Sequence, residues 1–489
     1  MKTHVTLVNP PYPVEAPQAI FIPLGLSYLA AVLEENEYEV DVIDCPASQI
    51  TLKTLEAELK KRETDVVGVT SATLTYLPAL EVVKTAKRVL PDCVTMMGGP
   101  HVTAMDEQTL NENPETDIVV RGEGEQTLLE LLKLVDNRNL NNLGDVAGIT
   151  FRKNGQIFRT PNRAFIENID ALPLPAHKHF KVNNYRVLGR MYLPIITSRG
   201  CPFQCAFCLS YLMCGRSFRA RSPTKVVNEL EWLRNKFGAE AYTFYDDTFT
   251  FDVNRALAIC DEMNNRKINL PWDCRTRVDR VSKEILAKFN STNCQLIHFG
   301  IESGSQKMLN AMRKGTTVEQ NARAIKMTKD AGIMVAISLV IGYPGETPEM
   351  LQQTLDFVNK TKPDYVYMCE AVPYPGTELY EYLKRSGIEI SNNWNRYHEQ
   401  TQVFKNEVEP LEKLEEAKKA FYDSFFSPIY FLQKNRKRSF YSQMMARVAL
   451  NHLIGKYRFS RWAFKEIGKM RRPEQSSGGH KTPSKDRQR

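Results

Sequence analysis

Three cysteines, Cys201, Cys205 and Cys208, lie within one short loop. The spacing C-x3-C-x2-C places three soft thiolate ligands together, and such ligands suit iron–sulfur clusters or zinc. Four protein ligands would close a cubane or a structural zinc site. Three leave one metal position open, and an open position is where a substrate or cofactor binds. A zinc knuckle completed by Cys214 is the alternative.

This run, residues 198–209, resembles the cluster loop of the radical S-adenosylmethionine (SAM) superfamily, and the resemblance extends over about residues 192–378. It implies a [4Fe–4S] cluster held by the three cysteines, with the amino and carboxylate groups of SAM on the fourth iron. The reduced cluster of that family cleaves SAM to methionine and a 5′-deoxyadenosyl radical, which abstracts hydrogen from an unreactive carbon. Phe207, just before the last cysteine, is expected near the adenine.

The elements that must position this loop alternate between strands and helices. Apolar runs predict strands at 193–197, 241–245, 271–275, 295–300, 334–341 and 364–369. Helical spacing predicts helices at 223–237, 254–266, 283–290, 319–331 and 348–361. Six such units favour the partial (β/α)6 barrel of radical SAM enzymes, whose active sites lie at the carboxyl ends of the strands.

Polar residues follow the second and third predicted barrel strands. In the family that this segment resembles, Tyr245 and Asp246 lie where the amino group of SAM is held, and a carboxylate or carbonyl is the acceptor that an ammonium requires. Asp246 is equally well explained as a helix N-cap. Arg277 can bind the carboxylate of SAM bidentately, although a salt bridge from Arg277 to Asp279 is an equal alternative.

The fourth and fifth predicted barrel strands end in further candidates. Glu302, followed by Ser303, resembles the position that contacts the ribose hydroxyls or the ammonium of SAM. Gly342 allows the backbone to approach the adenine. No catalytic side chain is assigned beyond the cluster and the cofactors, because radical chemistry is supplied by the cofactors and the protein orients them.

Short strands and helices also alternate between residue 1 and about residue 135. Strands are predicted at 5–8, 40–43, 66–70, 94–97 and 118–120, and helices at 24–35, 52–61, 79–89 and 125–135. This alternation indicates a parallel sheet covered on both faces. Such sheets bind ligands at the carboxyl ends of their strands.

Four of these strands end in segments rich in glycine, proline or polar residues, which allow the backbone to pass close to a large ligand. Together they resemble the cobalamin-binding domain of cobalamin-dependent radical SAM enzymes. The resemblance implies cobalamin contacts from Asn9, Pro10, Ser71, Ala72, Gly98, Gly99, Pro100, His101, Gly122 and Glu123. The motif D-x-H-x-x-G, whose histidine ligates cobalt, does not occur in the sequence. A base-off cofactor is therefore expected, with His101 not a cobalt ligand, and a domain without cofactor is the alternative.

The chain of 489 residues exceeds the size of one core, so several domains are expected in an α/β fold. Three of the ten cysteines lie in the cluster loop and the other seven are dispersed, which fits a reducing compartment, so we expect a cytoplasmic protein. No stretch has the ~18 apolar residues of a spanning helix. The predicted divisions are a Rossmann-like cobalamin-binding domain at 1–135, a connector with a hairpin at 136–190, the radical SAM barrel at 191–380, a basic helical region at 381–472 and a disordered tail at 473–489.

The net charge of +8 is concentrated near the carboxyl terminus. Residues 434–472 contain twelve Lys or Arg and one acid, interleaved with aromatic and aliphatic residues. A basic amphipathic helix of this kind predicts peripheral contact with the inner face of the cell membrane. A helical cap with a solvated cationic face is the alternative, and nucleic acid is disfavoured because no nucleic-acid motif accompanies the charge.

The whole sequence resembles the branch that contains the anaerobic magnesium-protoporphyrin monomethyl ester cyclase, the hopanoid methylases and archaeal tetraether-lipid ring synthases. The resemblance implies C-methylation or ring closure on a bulky apolar lipid or tetrapyrrole, with an electron donor such as ferredoxin or flavodoxin. A methylase of a small natural product or phosphonate is the first alternative. An RNA-modifying methylthiotransferase would need a second cluster or an RNA-binding domain, and a corrinoid carrier would not need the three cysteines.

Overall fold

The first of the two seven-stranded sheets in the described residues lies in the amino-terminal part of the chain. In this computed structural model, which describes residues 2–13, 21–405, 411–437 and 439–457, its strands are β1 (His4–Asn9), β2 (Glu39–Asp44), β3 (Val66–Thr70), β4 (Val94–Gly98), β5 (Ile118–Val120), β6 (Ile149–Lys153) and β7 (Gln156–Arg159). The spatial order is β2-β1-β3-β4-β5-β6-β7. The first five strands pair in parallel. Their valine-rich runs are buried because helices cover both faces.

The helices of this region are α1 (Leu24–Glu35), α2 (Cys45–Ser48), α3 (Leu52–Lys60), α4 (Tyr76–Val89), α5 (Pro100–Ala104), α6 (Asp106–Glu112) and α7 (Glu125–Asp136). The predicted parallel sheet with alternating helices is thereby confirmed. The short helices α2, α5 and α6 were not predicted, since four to seven residues carry too little periodicity to be recognised.

The predicted hairpin of the connector forms between β6 and β7, around Asn154 and Gly155, which both have positive φ. It does not stand apart from the first sheet, because β6 pairs antiparallel with β5. The first sheet therefore extends beyond residue 135, where the sequence placed the end of its domain.

Gly99 directly follows β4 and packs against the backbone of Ser71, the residue that follows β3. Its φ is +105°, and a Cβ there would lie 2.7 Å from the carbonyl oxygen of Ser71. We expect Gly99→Ala to lower the free energy of unfolding by more than about 2 kcal/mol, because backbone strain and a clash with backbone add. The control is Gly155→Ala, with positive φ but open space around it, which should cost only about 1 kcal/mol. Equal losses in urea unfolding would contradict the close approach.

The second sheet is the barrel. Its strands are β8 (Arg186–Val187), β9 (Arg190–Ile195), β12 (Ala241–Phe244), β13 (Trp272–Thr276), β14 (Cys294–Glu302), β15 (Met334–Ile341) and β16 (Tyr365–Glu370), and a separate two-residue ladder joins β10 (Ser198–Arg199) to β11 (Arg219–Ala220). Among the described residues the order is β16-β15-β14-β13-β12-β9-β8. Six of these strands pair in parallel, and β8 is an antiparallel edge. The predicted partial (β/α)6 barrel is thus confirmed.

The barrel helices are α8 (Ser210–Cys214), α9 (Pro223–Phe237), α10 (Val253–Asn265), α11 (Lys283–Ser291), α12 (Gln306–Ala311), α13 (Val318–Asp330), α14 (Pro348–Thr361) and α15 (Glu378–Arg385). Local residues explain their ends. Ser222 caps α9, Pro223 occupies its first turn, and Gly238 ends it in a left-handed conformation. An aromatic core of Phe244, Phe249, Trp272 and Phe289 packs between strands and helices.

Helices α16 (Leu411–Phe425), α17 (Pro428–Arg436) and α18 (Phe440–Tyr457) follow. The chain divides into two compact units, residues 1–419 and 420–489. Within the second unit, the rings of Tyr422 and Phe426 stack with centroids 5.6 Å apart, and Asp423 lies 2.9 Å from His452. In the described ranges no helix is both long and apolar enough to cross a bilayer. The predictions for residues 458–472 and for the tail at 473–489 lie outside the described residues.

Candidate functional site

The three cysteines lie on the loop that follows the first parallel barrel strand, residues 200–209, which we call the cluster loop. Backbone hydrogen bonds hold it: Cys201 donates to Gly215 at 3.3 Å, Cys208 to Cys205 at 3.1 Å, and Ala206 to Met312 at 2.9 Å. Burial raises the pKa of the Cys208 thiol to about 12 and also raises that of Cys205. A bound metal would have to displace these protons, as it does at any thiolate site.

Asp246 braces the segment before this loop. One carboxylate oxygen accepts from the N–H groups of Thr197 and Ser198, at 2.6 and 2.8 Å, and the other accepts from the Thr197 hydroxyl at 2.5 Å. Burial raises the pKa of this carboxyl. Both carboxylate oxygens of Asp246 are thus engaged by Thr197 and Ser198, and the contact of Asp246 with SAM stays a prediction.

Arg199, two residues before the first cysteine, ties the cluster loop to the first sheet. Its guanidinium lies 3.0 Å from Glu123 and 2.7 Å from Glu125; the two carboxylate side chains are buried and that of Arg199 is 11% exposed. Glu123 also pairs with Arg219 at 2.9 Å and accepts from the N–H of Ile166. The end of β5 and the approach to the cysteines are thus fixed to one another.

A cavity of about 400 Å³ lies between the carboxyl ends of the first sheet and the cluster-loop side of the barrel. We call it the sheet cavity. Backbone forms much of its wall, because its lining includes Gly25, Gly68, Gly98, Gly99, Gly122 and Gly124. The barrel side contributes Ile196, Met213, Tyr245 and Asp247. A glycine wall with apolar neighbours fits a broad, flat cofactor such as a corrin.

The predicted cobalamin contacts divide into two groups. Gly98, Gly99, Gly122 and Glu123 line the sheet cavity. The other six are not among the residues that line this cavity. The Asn9 amide donates to Asp44 at 2.8 Å, and Pro100 begins α5. Pro10, Ser71 and His101 are buried, and Ala72 is exposed. Contact with cobalamin stays a prediction for all ten residues.

His101 lies against the rings of Tyr76 and Trp394, with centroids 4.1 and 4.9 Å away. Its Nδ1 is 3.3 Å from the Thr73 hydroxyl. Burial lowers the pKa of His101 to about 3. The sheet cavity's described lining does not include this residue.

This burial predicts acid sensitivity. The unfolded chain binds a proton on His101 below pH 6.5, whereas the folded chain does so only near pH 3. The stability due to its neutral form is complete above pH 6.5 and is lost as the pH falls. Between pH 7.5 and 5, His101→Phe should therefore lose about 2 kcal/mol less unfolding free energy than the parent. Identical losses by chemical denaturation would contradict the burial.

A second cavity, of about 350 Å³, opens at the carboxyl ends of the barrel strands. We call it the barrel cavity. Its lining contains the predicted SAM residues Phe207, Arg277 and Glu302, together with Lys314, Arg275, His298, Ser338 and Glu399. Asp247 lines both cavities, so the two spaces meet at this carboxylate.

The guanidinium of Arg277 has a buried N–H donor that could bind an anion. Its Nε pairs with Asp279 at 3.0 Å, so the predicted alternative is present, while its buried Nη1 has no hydrogen-bond partner in the described part of the chain. The guanidinium also lies 3.7 Å from the ring centroid of Phe203. An unsatisfied buried donor beside the cluster loop fits the carboxylate of SAM.

Glu302 adopts a positive φ of 65° at an irregularity in β14 and pairs with Lys314 at 2.7 Å, both side chains being buried. Ser303 hydrogen bonds to Thr354 at 3.0 Å, and the Gly342 N–H donates to Glu346 at 2.6 Å. Tyr245 lines the sheet cavity, not the barrel cavity. The structure thus brings Phe207, Arg277 and Glu302 together and leaves the other four SAM candidates, Tyr245, Asp246, Ser303 and Gly342, outside the barrel cavity's lining.

Sequence reasoning missed several residues that line these cavities, notably Asp247, Lys314 and Glu399. Asp247 was visible beside Asp246, and burial raises the pKa of its carboxyl. The two acids are placed differently: Asp246 accepts from Thr197 and Ser198, whereas Asp247 lines both cavities. Lys314 and Glu399 follow no strand directly, so no pattern marked them.

Cys214, the alternative fourth zinc ligand, lies at the end of α8 and lines the sheet cavity. Across the described residues no group of three or more His, Cys, Asp or Glu side chains is gathered closely enough to hold one metal ion. A cubane binds each thiolate at a different iron atom, so its cysteines need not converge on one point. The cluster assignment stays a prediction.

Two family models match the chain: a B12 binding domain at residues 14–132 and the radical SAM superfamily at residues 195–358. An uncharacterised methyltransferase of Pyrococcus horikoshii is 34% identical over 83% of this chain and 87% of its own length. The anaerobic magnesium-protoporphyrin IX monomethyl ester cyclase of Rubrivivax gelatinosus is 29% identical over 84% and 75%. The cobalamin-dependent radical SAM enzyme OxsB, solved with aqua-cobalamin and SAM, shares the fold at TM-score 0.72 and 19% identity, over 93% and 72%.

The chain belongs to the radical SAM enzymes that carry a B12 binding domain. The predicted family, fold class and enzyme type, a methyltransferase or cyclase, are confirmed. The predicted cofactors are those that the two domains imply.

Proposed function

We propose that this enzyme uses a [4Fe–4S] cluster, SAM and cobalamin to methylate, or to close a ring at, an unactivated carbon of a lipophilic substrate. The observation that supports this proposal most strongly is the meeting of the two cavities at Asp247, beside the cluster loop. A glycine-walled space and a charged barrel space that share one wall can bring two cofactors to one carbon. Relatives of both reaction types resemble the chain.

The residues divide among the cofactors as follows. Cys201, Cys205 and Cys208 would hold the cluster, with Phe207, Arg277 and Glu302 for SAM. Gly98, Gly99, Gly122 and Glu123 would lie against cobalamin. When bound, these groups supply a 5′-deoxyadenosyl radical and a transferable methyl group, chemistry that no side chain can perform.

The side chains of the protein would bind SAM and fix the position of the first sheet relative to the cluster loop. The unpartnered Nη1 of Arg277 would donate to the carboxylate of SAM. Asp247, not Asp246, is the carboxylate that faces both cavities and would accept from the ammonium of SAM. The Arg199–Glu123–Glu125 cluster keeps the first sheet fixed against the cluster loop.

Anaerobic incubation of cluster-loaded enzyme with SAM, methylcobalamin, a reductant and a membrane lipid extract tests this function. We expect 5′-deoxyadenosine together with a substrate-derived product. A product heavier by one methylene indicates methylation, and a product lacking two hydrogens indicates ring closure. The proposal fails if reconstituted enzyme produces no 5′-deoxyadenosine with any extract, or if purified enzyme fed cobalamin shows no corrinoid absorbance.

The proposed partners are a ferredoxin- or flavodoxin-type electron donor and, for a cytoplasmic enzyme, the inner face of the membrane through residues 434–472. The exposure of Ile429 and Leu432 on α17, at 66% and 52%, in a helix whose last turn carries the exposed Arg436, supports the membrane contact. The full chain should sediment with vesicles containing phosphatidylserine and not with purely phosphatidylcholine vesicles. Equal sedimentation with both would count against an electrostatic contact.

A further inference from the structure

Arg275 is a cation of the barrel cavity that the cofactor assignments do not use. It lies in β13, two residues before Arg277, and lines the barrel cavity. Its guanidinium carbon lies 3.9 Å from the ring centroid of Tyr245, which lines the sheet cavity. Arg275 therefore lies at the junction where a substrate would meet both cofactors.

The guanidinium has hydroxyl partners and no carboxylate partner among the described residues. Nη1 donates to the Thr243 hydroxyl at 3.3 Å, the guanidinium also hydrogen bonds to the side chain of Tyr245, and in the described part of the chain Arg275 forms no salt bridge. By contrast, Arg199, Arg219 and Arg277 each pair with a carboxylate. Asp273, on the same strand, contributes to the electrostatic environment of Arg275, but its carboxylate accepts from the hydroxyls of Tyr192 and Thr243.

The surroundings keep this positive charge available. The nearby His298 is neutral, because burial and then the charges of Arg275 and Lys314 lower its pKa to about 3. Its Nε2 lies 2.7 Å from the Ser338 hydroxyl, and its ring stacks on Tyr367 with centroids 5.2 Å apart. A guanidinium among aromatic faces and hydroxyls, with donors left for a planar or tetrahedral anion, is an arrangement that binds carboxylate or phosphoryl groups.

We propose that Arg275 binds an anionic group of the substrate, a carboxylate or a phosphoryl oxygen, at the junction of the two cavities. The inference rests on the proposed function, since it names the substrate class of the same site. The carboxylate of SAM is already provided with Arg277, and Arg275 does not line the sheet cavity assigned to cobalamin. The substrate is then amphiphilic, with its anion held by Arg275 and its apolar part beside Tyr245 and Tyr367.

Binding of simple probes to the full-length, anaerobically reconstituted enzyme tests this inference. The carboxylate probe is 4-phenylbutyrate, the phosphoryl probe is phenylphosphonate, and the neutral control is 4-phenylbutanamide, each titrated by calorimetry in the presence of SAM. We expect one of the anions to bind about tenfold more tightly than the amide, because hydrogen bonds to a charged acceptor are stronger than those to a neutral one. The stronger anion identifies the group.

Variants of Arg275 test whether this residue causes the preference for an anionic probe over the amide. Arg275→Gln should abolish it, Arg275→Lys should keep part of it, and the exposed Arg323→Gln on α13 should leave it unchanged. SAM affinity should be the same in Arg275→Gln and in the parent. The inference is overturned if the parent shows no preference for either anion, if the preference survives Arg275→Gln, or if SAM affinity falls with it.

These outcomes are separable from those of the proposed function. An anion preference that depends on Arg275, found in enzyme that never forms 5′-deoxyadenosine, would refute the reaction and leave the binding site intact. Should 5′-deoxyadenosine form in enzyme without the preference, this inference alone would fail.

Discussion

Replacement of Cys205 by alanine should remove the iron from anaerobically reconstituted protein and reduce 5′-deoxyadenosine formation to background. Cys205 is on the cluster loop, where the neighbouring Ala206 forms backbone hydrogen bonds with both Met312 and Leu379, so the loop is held in place by two other parts of the barrel. Two thiolates cannot hold a cubane that needs three protein ligands and an open fourth iron. Iron content per chain and the visible absorbance of the cluster measure the first effect, and chromatography of the nucleoside measures the second.

Cys214→Ala is the matched control. Cys214 is the nearest cysteine in sequence after the cluster loop, and it lines the sheet cavity. Its alanine variant should retain full iron content. Loss of metal in Cys214→Ala to the same extent as in Cys205→Ala, or zinc in place of iron in the parent, would establish a four-cysteine site and refute the open iron.

Arg199→Met should lower the free energy of unfolding by about 3–5 kcal/mol, since removing one partner leaves a buried charge uncompensated. Glu123 keeps Arg219, but Glu125 loses the cation at 2.7 Å. The same substitution frees the approach to the cluster loop from the end of β5, so cobalamin retention should fall as well. Chemical denaturation and the corrinoid content of the purified protein measure the two effects.

Two further variants make this prediction specific. Arg199→Met combined with Glu125→Gln should recover much of the stability, because the orphaned charge is removed together with its partner. Arg88→Met, which breaks the exposed pair with Glu56, should change the unfolding free energy by less than about 1 kcal/mol. A double variant no more stable than Arg199→Met would show that the cost arises from packing and not from the charge of Glu125.

The elements were predictable where local chemistry defines their ends. Helices predicted at 223–237 and 348–361 have those bounds in the structure, because each begins at a Ser or Thr cap followed by proline and ends at a residue of left-handed conformation. The strand predicted at 193–197 instead spans Arg190–Ile195. Its polar start, Arg190, pairs with Val187 of the edge strand β8, a partner that no local pattern reveals.

The site was predictable in its residue types and less so in its partners. Cys201, Cys205, Cys208, Phe207, Arg277 and Glu302 were identified from motif position, and the last three line one cavity. The pairing of Arg199 with Glu123 joins residues 76 apart in the chain, and it is the path of the chain after β12 that places Asp247, and not Asp246, in the lining of the cavities. Both follow from tertiary packing, which a sequence pattern does not encode.

The order of the second sheet has a consequence for the size of molecule that the enzyme can process. Among the described strands β16 and β8 are its two edges, and they do not pair with each other. A closed eight-stranded barrel can enclose only a molecule that is narrower than its lumen. A barrel with a lateral gap can hold one reacting carbon inside while the remainder of a long chain or a wide ring stays outside the wall, so bulk alone does not exclude a candidate molecule.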